Sequence, residues 1–252
     1  MPPTNDNPEG SMSILEHLDE LRSRLIRIAV VLAVLVCAAW AFSDRILDFL
    51  LVPVREHLTK GGEIVYITPV EPFMALMTAS FIVALFFAVP YVLYEVWAFV
   101  APGLYRHERK MVVPFLLSGT LCFAAGGAFG YYVAVPVASG WLIGLGTSFT
   151  AQITLRSAFQ FVSRVVLAMG LVFELPILIF FLSRIGVVTP AFLLRQFRMA
   201  VLVIAILSAV LTPTGDMLTM SVFAGPMILL YLIGIAVSWM FGGRPAGPPA
   251  AP

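Results

Sequence analysis

Residues 95–110 read EVWAFVAPGLYRHERK. The first half ends an apolar run. The second half contains the most charged heptad of the chain, Leu104 to Lys110, in which three cations and a histidine surround one carboxylate, Glu108. An apolar run that stops at a cluster of Lys and Arg is the mark of a membrane span meeting a loop held on one side of the bilayer. The loop is short, so helices hold both its ends and Glu108 has little freedom. The cations say where the loop is. The acid among them needs another explanation.

Composition supports the membrane reading. The 252 residues are 60% hydrophobic and 12% charged, with mean hydropathy +0.99. A soluble domain is about a quarter charged. The net charge of +1 argues against a nucleic-acid partner. Cys37 and Cys122 lie in apolar runs without CxxC or metal spacing, which reads as buried thiols. The sequence contains no HExxH, no GxSxG and no phosphate-binding loop, and His17, His57 and His107 lie outside the apolar runs. An enzyme, a bound metal and a cofactor are therefore not expected.

A hydrocarbon core about 30 Å thick takes roughly 20 helical residues. Six runs qualify as spans: 25–42, 73–99, 111–135, 158–182, a short one at 197–211, and 217–241. Sorting Lys and Arg with the N-terminus inside puts ten on inner segments and five on outer ones, the latter being Arg45, Arg55, Lys60, Arg156 and Arg164. Both termini are then cytoplasmic. The expected fold is an all-α integral membrane protein of six transmembrane helices. Residues 1–12 and 243–252 read as disordered tails around one membrane domain, 13–242. The first residues lack the apolar core of a cleavable signal peptide.

Within that domain, Ser13 to Leu25 (SILEHLDELRSRL) is an amphipathic helix leading into the first span. Ser13 and Glu16 form a capping box, and Leu15, Leu18, Leu21 and Leu25 form a stripe. Residues 43–72 form an outer cap: a short helix ending near Pro53, a turn at KGGE and an extended IVYIT. Spans five and six are joined by the turn TPTGD, Thr212 to Asp216. FAVPYVL, FELPILI and FAGPMIL place Pro90, Pro176 and Pro226 in three helices of one direction. Three kinks there would curve the bundle into a concave form. Glu95, near the inner end of span two, reads as an interfacial acid reaching for water. Glu174 lies deep in span four, where a carboxylate is costly and a functional candidate by default.

Four separated stretches together resemble the TatC family, the polytopic core of the twin-arginine protein translocase: HLDELRSRL, EVWAFVAPGLYRHERK, VFELP and LTPTGD. The resemblance runs over essentially Ser13 to Phe241. It implies a receptor for signal peptides bearing paired arginines, which exports folded proteins across the cytoplasmic membrane. It also implies single-span partners of the TatA and TatB kind, lipid contact and self-association in a larger complex. Arginine is best met by a carboxylate fork, and the family motif falls on Glu20 and Glu108 as the acids, with Arg22 beside them. The resemblance also points to Pro53, to Asp216 and to Glu174 as a polar spot on the concave face. Relatives often carry an uncharged glutamine where this chain has Glu95, so the ligand face here holds an extra acid. Relatives also often carry a glutamine early in span six for partner docking, where this chain offers Thr219. The reading from another class is a secondary transporter or proton channel using Glu174. Such proteins show related halves, and none is evident here.

Overall fold

The computed structural model describes residues 14–58, 61–100, 112–146, 148–184, 186–212 and 216–241. The chain begins with α1 (Ile14–Trp40), which carries the amphipathic stretch and the first apolar run as one helix. α2 (Ser43–Arg55) follows, then a three-residue strand β1 (Glu63–Val65). α3 (Val70–Val100) is the second span. α4 (Val112–Phe129), a π-helical turn at Gly130–Ala134 and α5 (Val135–Gly144) together make the third. β2 (Gln152–Thr154) leads into α6 (Leu155–Phe173) and α7 (Leu175–Arg184), which make the fourth. The rest is α8 (Pro190–Arg195), α9 (Phe197–Leu211) and α10 (Met217–Phe241).

Five of these segments are long and apolar enough to cross a membrane: 16–40, 70–99, 112–144, 155–184 and 217–240. The sixth, α9, has 15 residues, which reach only about 22 Å at 1.5 Å per residue. α3 and α10 run unbroken through Pro90 and Pro226. The fourth span instead breaks at Glu174. Pro176 has no N–H to return to Val172, so the ladder stops there and restarts from the Glu174 carbonyl, which accepts from Leu178 at 2.9 Å. Arg164, counted by charge with the outer segments, lies inside α6, nine residues past Leu155. That places it about 14 Å along the helix.

α1 packs along α3, α4 against α6, and α10 against α7 and α9. The core joins α2, α3, the π turn, α5, α6 and α10 around Leu51, Ile82, Val135, Val162, Met169, Phe223 and Met227. Small residues let these helices approach, as membrane interfaces require. A Cβ added at Gly126 would collide with the Met169 carbonyl and the Phe173 ring, and one added at Gly130 would stand 3.1 Å from the Val166 Cα. The cap is held twice. Tyr131 donates from its hydroxyl to the Phe49 carbonyl at 2.6 Å and stacks on the Phe49 ring at 4.6 Å. β1 pairs in parallel with β2, Ile64 opposite Ile153, which ties the cap to the start of α6. Ser238 donates to Ser183 at 2.6 Å and joins α10 to α7 in a buried setting.

Candidate functional site

The amphipathic part of α1 lies against the final turns of α3. His17 stacks on Phe99 with ring centroids 4.2 Å apart, which fixes the register of the two helices. Glu20 and Arg24 are four apart and share the face of α1 turned to α3. On α3, Tyr91 and Glu95 are likewise four apart and face α1. Arg24 joins the pairs. Its Nε donates to Glu20 Oε1 at 3.1 Å, its Nη2 donates to the same oxygen and to the Ala98 carbonyl at 3.1 Å, and its Nη1 donates to Glu95 Oε2 at 2.8 Å.

Glu95 is 2% exposed. A buried carboxylate is sustainable only when paired and hydrogen-bonded. Here its Oε2 receives Arg24, while its Oε1 accepts from the Tyr91 hydroxyl at 2.8 Å and faces Arg27 Nη1 at 3.5 Å. Glu95 therefore turns inward to α1 instead of out to water. Glu20 differs. Both bonds it receives fall on Oε1. Its Oε2 is buried and has no hydrogen-bond donor among the described residues, with His17 Nδ1 at 3.7 Å. Two carboxylates and two guanidiniums make the cluster neutral in sum, yet one acceptor atom is left over.

Arg22, two residues from Glu20, is exposed on another side of α1. Glu108 and its neighbours Arg106, His107, Arg109 and Lys110 lie outside the described residues. Sequence reasoning missed Arg24 and Tyr91. The signal that could have found them is the spacing of four from a candidate acid on a helix.

Glu174 caps the C-terminal end of α6 at the break before α7. Its Oε1 is buried and has no hydrogen-bond partner among the described residues. A Cβ placed on Gly119 of α4 would stand 3.3 Å from Glu174 Oε2, so the carboxylate rests over that glycine. Asp216 is the N-cap of α10. Its Oδ1 accepts from the Thr219 N–H at 2.9 Å, and its Oδ2 accepts from the Thr219 hydroxyl. Thr219 is buried and lines a small groove with Val137, Trp141, Leu218 and Val222. Pro53 is buried in α2, and its carbonyl meets His57 Nδ1 at 2.8 Å. Between α3 and α6 lies a cleft of about 540 Å³ with Glu71, Arg156, Gln160, Ser163 and Arg164 on its walls. These places are separate from the α1–α3 cluster.

The family model for the Sec-independent protein translocase protein (TatC) matches residues 16–226. The chain is 43% identical over 232 residues to the Sec-independent protein translocase protein TatC of Koribacter versatilis (strain Ellin345), covering 91% of this chain and 86% of that one. It is 39% identical over 224 residues to the TatC protein of Campylobacter jejuni subsp. jejuni serotype O:2, covering 88% and 91%. A crystal structure of the twin-arginine translocase receptor TatC superposes with a TM-score of 0.80 at 32% identity, covering 89% of this chain and 99% of that one. The chain therefore belongs to the TatC family, as a multi-pass component of the twin-arginine translocase in the cytoplasmic membrane and a transport protein rather than an enzyme.

Proposed function

We propose that this protein is the receptor of its translocase. It binds twin-arginine signal peptides with Glu20 and Glu108 and passes the folded cargo on with single-span partners of the TatA and TatB kind. The observation that carries the reading is Glu20, a carboxylate on the α1–α3 face that already accepts one guanidinium and keeps a second oxygen without a hydrogen-bond donor among the described residues. A carboxylate with spare acceptor capacity is the natural partner of an incoming arginine, which is always charged and donates through a planar fork. Arg22, exposed beside it, meets the peptide backbone or orients the acids. Glu95 supports the site from behind, through Arg24. Both termini and the loop of Glu108 lie on the cytoplasmic side, in keeping with the excess of Lys and Arg on those segments.

Glu174 is the polar spot within the span that draws water or a partner helix during transport. Asp216 and Thr219 order the start of α10, and the groove beside Thr219 is a docking point for a single-span partner. Pro53 belongs to the scaffold of the cap. The test is the binding of a fluorescent synthetic signal peptide to the full chain in lipid nanodiscs. An Arg-Arg peptide binds and a Lys-Lys peptide binds far less, and Glu20→Gln and Glu108→Gln each weaken the Arg-Arg complex by about tenfold or more. Equal binding of the two peptides refutes the reading.

A further inference from the structure

The α1–α3 cluster contains its own arginine. Arg24 bonds the very carboxylate that the receptor reading assigns to the ligand, and it does so in a lopsided way. Nε and Nη2 both fall on Glu20 Oε1, while Glu20 Oε2 has no hydrogen-bond donor among the described residues and only His17 Nδ1 near it, at 3.7 Å. A guanidinium that takes a carboxylate as a fork uses both oxygens. Arg24 cannot do this, because Nη1 is held 2.8 Å from Glu95 Oε2 and Nη2 also serves the Ala98 carbonyl. Four of its five N–H donors are split between two helices.

We propose that Arg24 is a resident competitor which sets the preference of this site for arginine over lysine, with Glu95 as the partner that retains it when the ligand takes Glu20. The inference rests on the receptor reading above. An incoming guanidinium can engage both oxygens of Glu20, which repays the displacement of Arg24 from Oε1. An ammonium is a compact point charge without a planar fork. It can reach Oε2 alone, leaves Arg24 in place, and then stands as a second cation beside it. The ligand must therefore be better than the occupant, and arginine is while lysine is not. Releasing Arg24 from Glu20 does not strand a partly buried cation, because Glu95 and the Ala98 carbonyl keep hold of it. Without that retention the exchange would leave an unpaired charge, which is the costly event at such sites. Glu95 is thus a positioning residue. It acts on the ligand through Arg24.

The test measures Arg-Arg and Lys-Lys peptide affinities on the full chain in nanodiscs for the wild type and for Arg24→Gln, Glu95→Gln, the double variant and Glu20→Gln. Arg24→Gln should bind both peptides more tightly, with the Lys-Lys peptide gaining more, so that the Arg-Arg to Lys-Lys ratio falls about tenfold, the worth of one charge-assisted hydrogen bond. Glu95→Gln should weaken Arg-Arg binding, since Arg24 then turns fully to Glu20. The double variant should regain the affinity of Arg24→Gln, a non-additivity that general loss of structure does not produce. A folded Arg24→Gln with an unchanged ratio, or with weaker binding of both peptides, overturns the proposal. If Arg24→Gln does not fold, Arg24→Lys decides: a narrower ratio supports the competitor and an unchanged one overturns it. Wild-type Arg-Arg affinity in Glu20→Gln would instead refute the receptor reading at Glu20, which separates the two failures.

Discussion

Arg24 Nη1 stands 2.8 Å from Glu95 Oε2 across 71 residues of sequence, and this bond fastens the first helix to the end of the third. The first helix is held chiefly along α3, and its other faces are open. Leu25, Ile26, Val30 and Val34 are each more than half exposed along it. Glu95→Ala should therefore destabilise the protein by ~3 kcal/mol, the scale for removing one partner of a buried pair and leaving the other uncompensated. Glu95→Gln should cost ~1 kcal/mol, because the amide oxygen still accepts from Tyr91. Cys37 is exposed and not buried as its apolar run suggested, whereas Cys122 is half-buried, so thermal unfolding in detergent on a Cys37→Ser background, followed by a thiol-reactive dye on Cys122, checks the order of the two.

The cap offers a cleaner subtraction. Tyr131→Phe removes one hydroxyl that donates to the Phe49 carbonyl at 2.6 Å and leaves the ring stacked. The expected loss is ~1 kcal/mol. Tyr131→Ala also removes the ring from the core and should cost ~3 to 5 kcal/mol. A phenylalanine variant as unstable as the alanine variant would mean that the hydroxyl, and not the ring, holds the cap.

Two glycines predict opposite results. Gly126→Val forces side-chain atoms against the Met169 carbonyl and Phe173, so α4 and α6 must part. Overpacking of this kind costs about 1 to 3 kcal/mol or more, and folded yield should fall sharply. Gly225 in α10 has nothing within 4 Å of an added Cβ. Gly225→Ala should stabilise the helix by roughly 0.5 to 1 kcal/mol. Size-exclusion yield and melting temperature for the pair check the contrast.

Glu174→Ala should abolish export of a folded reporter in cells that depend on this chain, while Arg-Arg peptide binding to the purified protein stays within about twofold of wild type, well below the tenfold of a lost hydrogen bond. Gly119→Ala should give a weaker form of the same defect, since its methyl would stand 3.3 Å from Glu174 Oε2 and 2.5 Å from Leu93 Cδ1. Full export by Glu174→Ala would remove this carboxylate from the transport step.

Much of the fold was legible because apolar runs of span length have few alternatives. A helix occupies every predicted segment, and the short fifth run is the short α9. Proline was a poorer guide. Helices α3 and α10 continue through Pro90 and Pro226, where neighbouring helices can make up for the lost donor. Only Pro176 coincides with a break. Of the β1–β2 pair only the extended IVYIT, which overlaps β1, was legible; β2 and the pairing were not, since a three-residue strand carries almost no pattern and the pairing is non-local. At the candidate site, Glu20 was singled out through the motif. The inward turn of Glu95 was not, because sequence gives the depth of a residue in a span far better than its direction. Its neighbours Tyr91 and Arg24 show the direction only when the two helices are laid side by side.

The π turn at Gly130–Ala134 has a consequence for how this span tolerates change. One extra residue in a turn shifts the angular phase of all that follows by about 100°. Before the π turn, α4 presents Gly119, Phe123, Gly126 and Gly127 to the protein. After it, α5 presents Val135, Ala138 and Ser139, on a face set by that phase shift. Deleting one residue between Gly130 and Ala134 would give a more regular helix with better hydrogen bonds. It would also swing Val135, Ala138 and Ser139 away from α2 and α10 toward lipid. The irregular turn keeps two packing faces aligned with two different sets of neighbours, so the more ideal helix would make the worse protein.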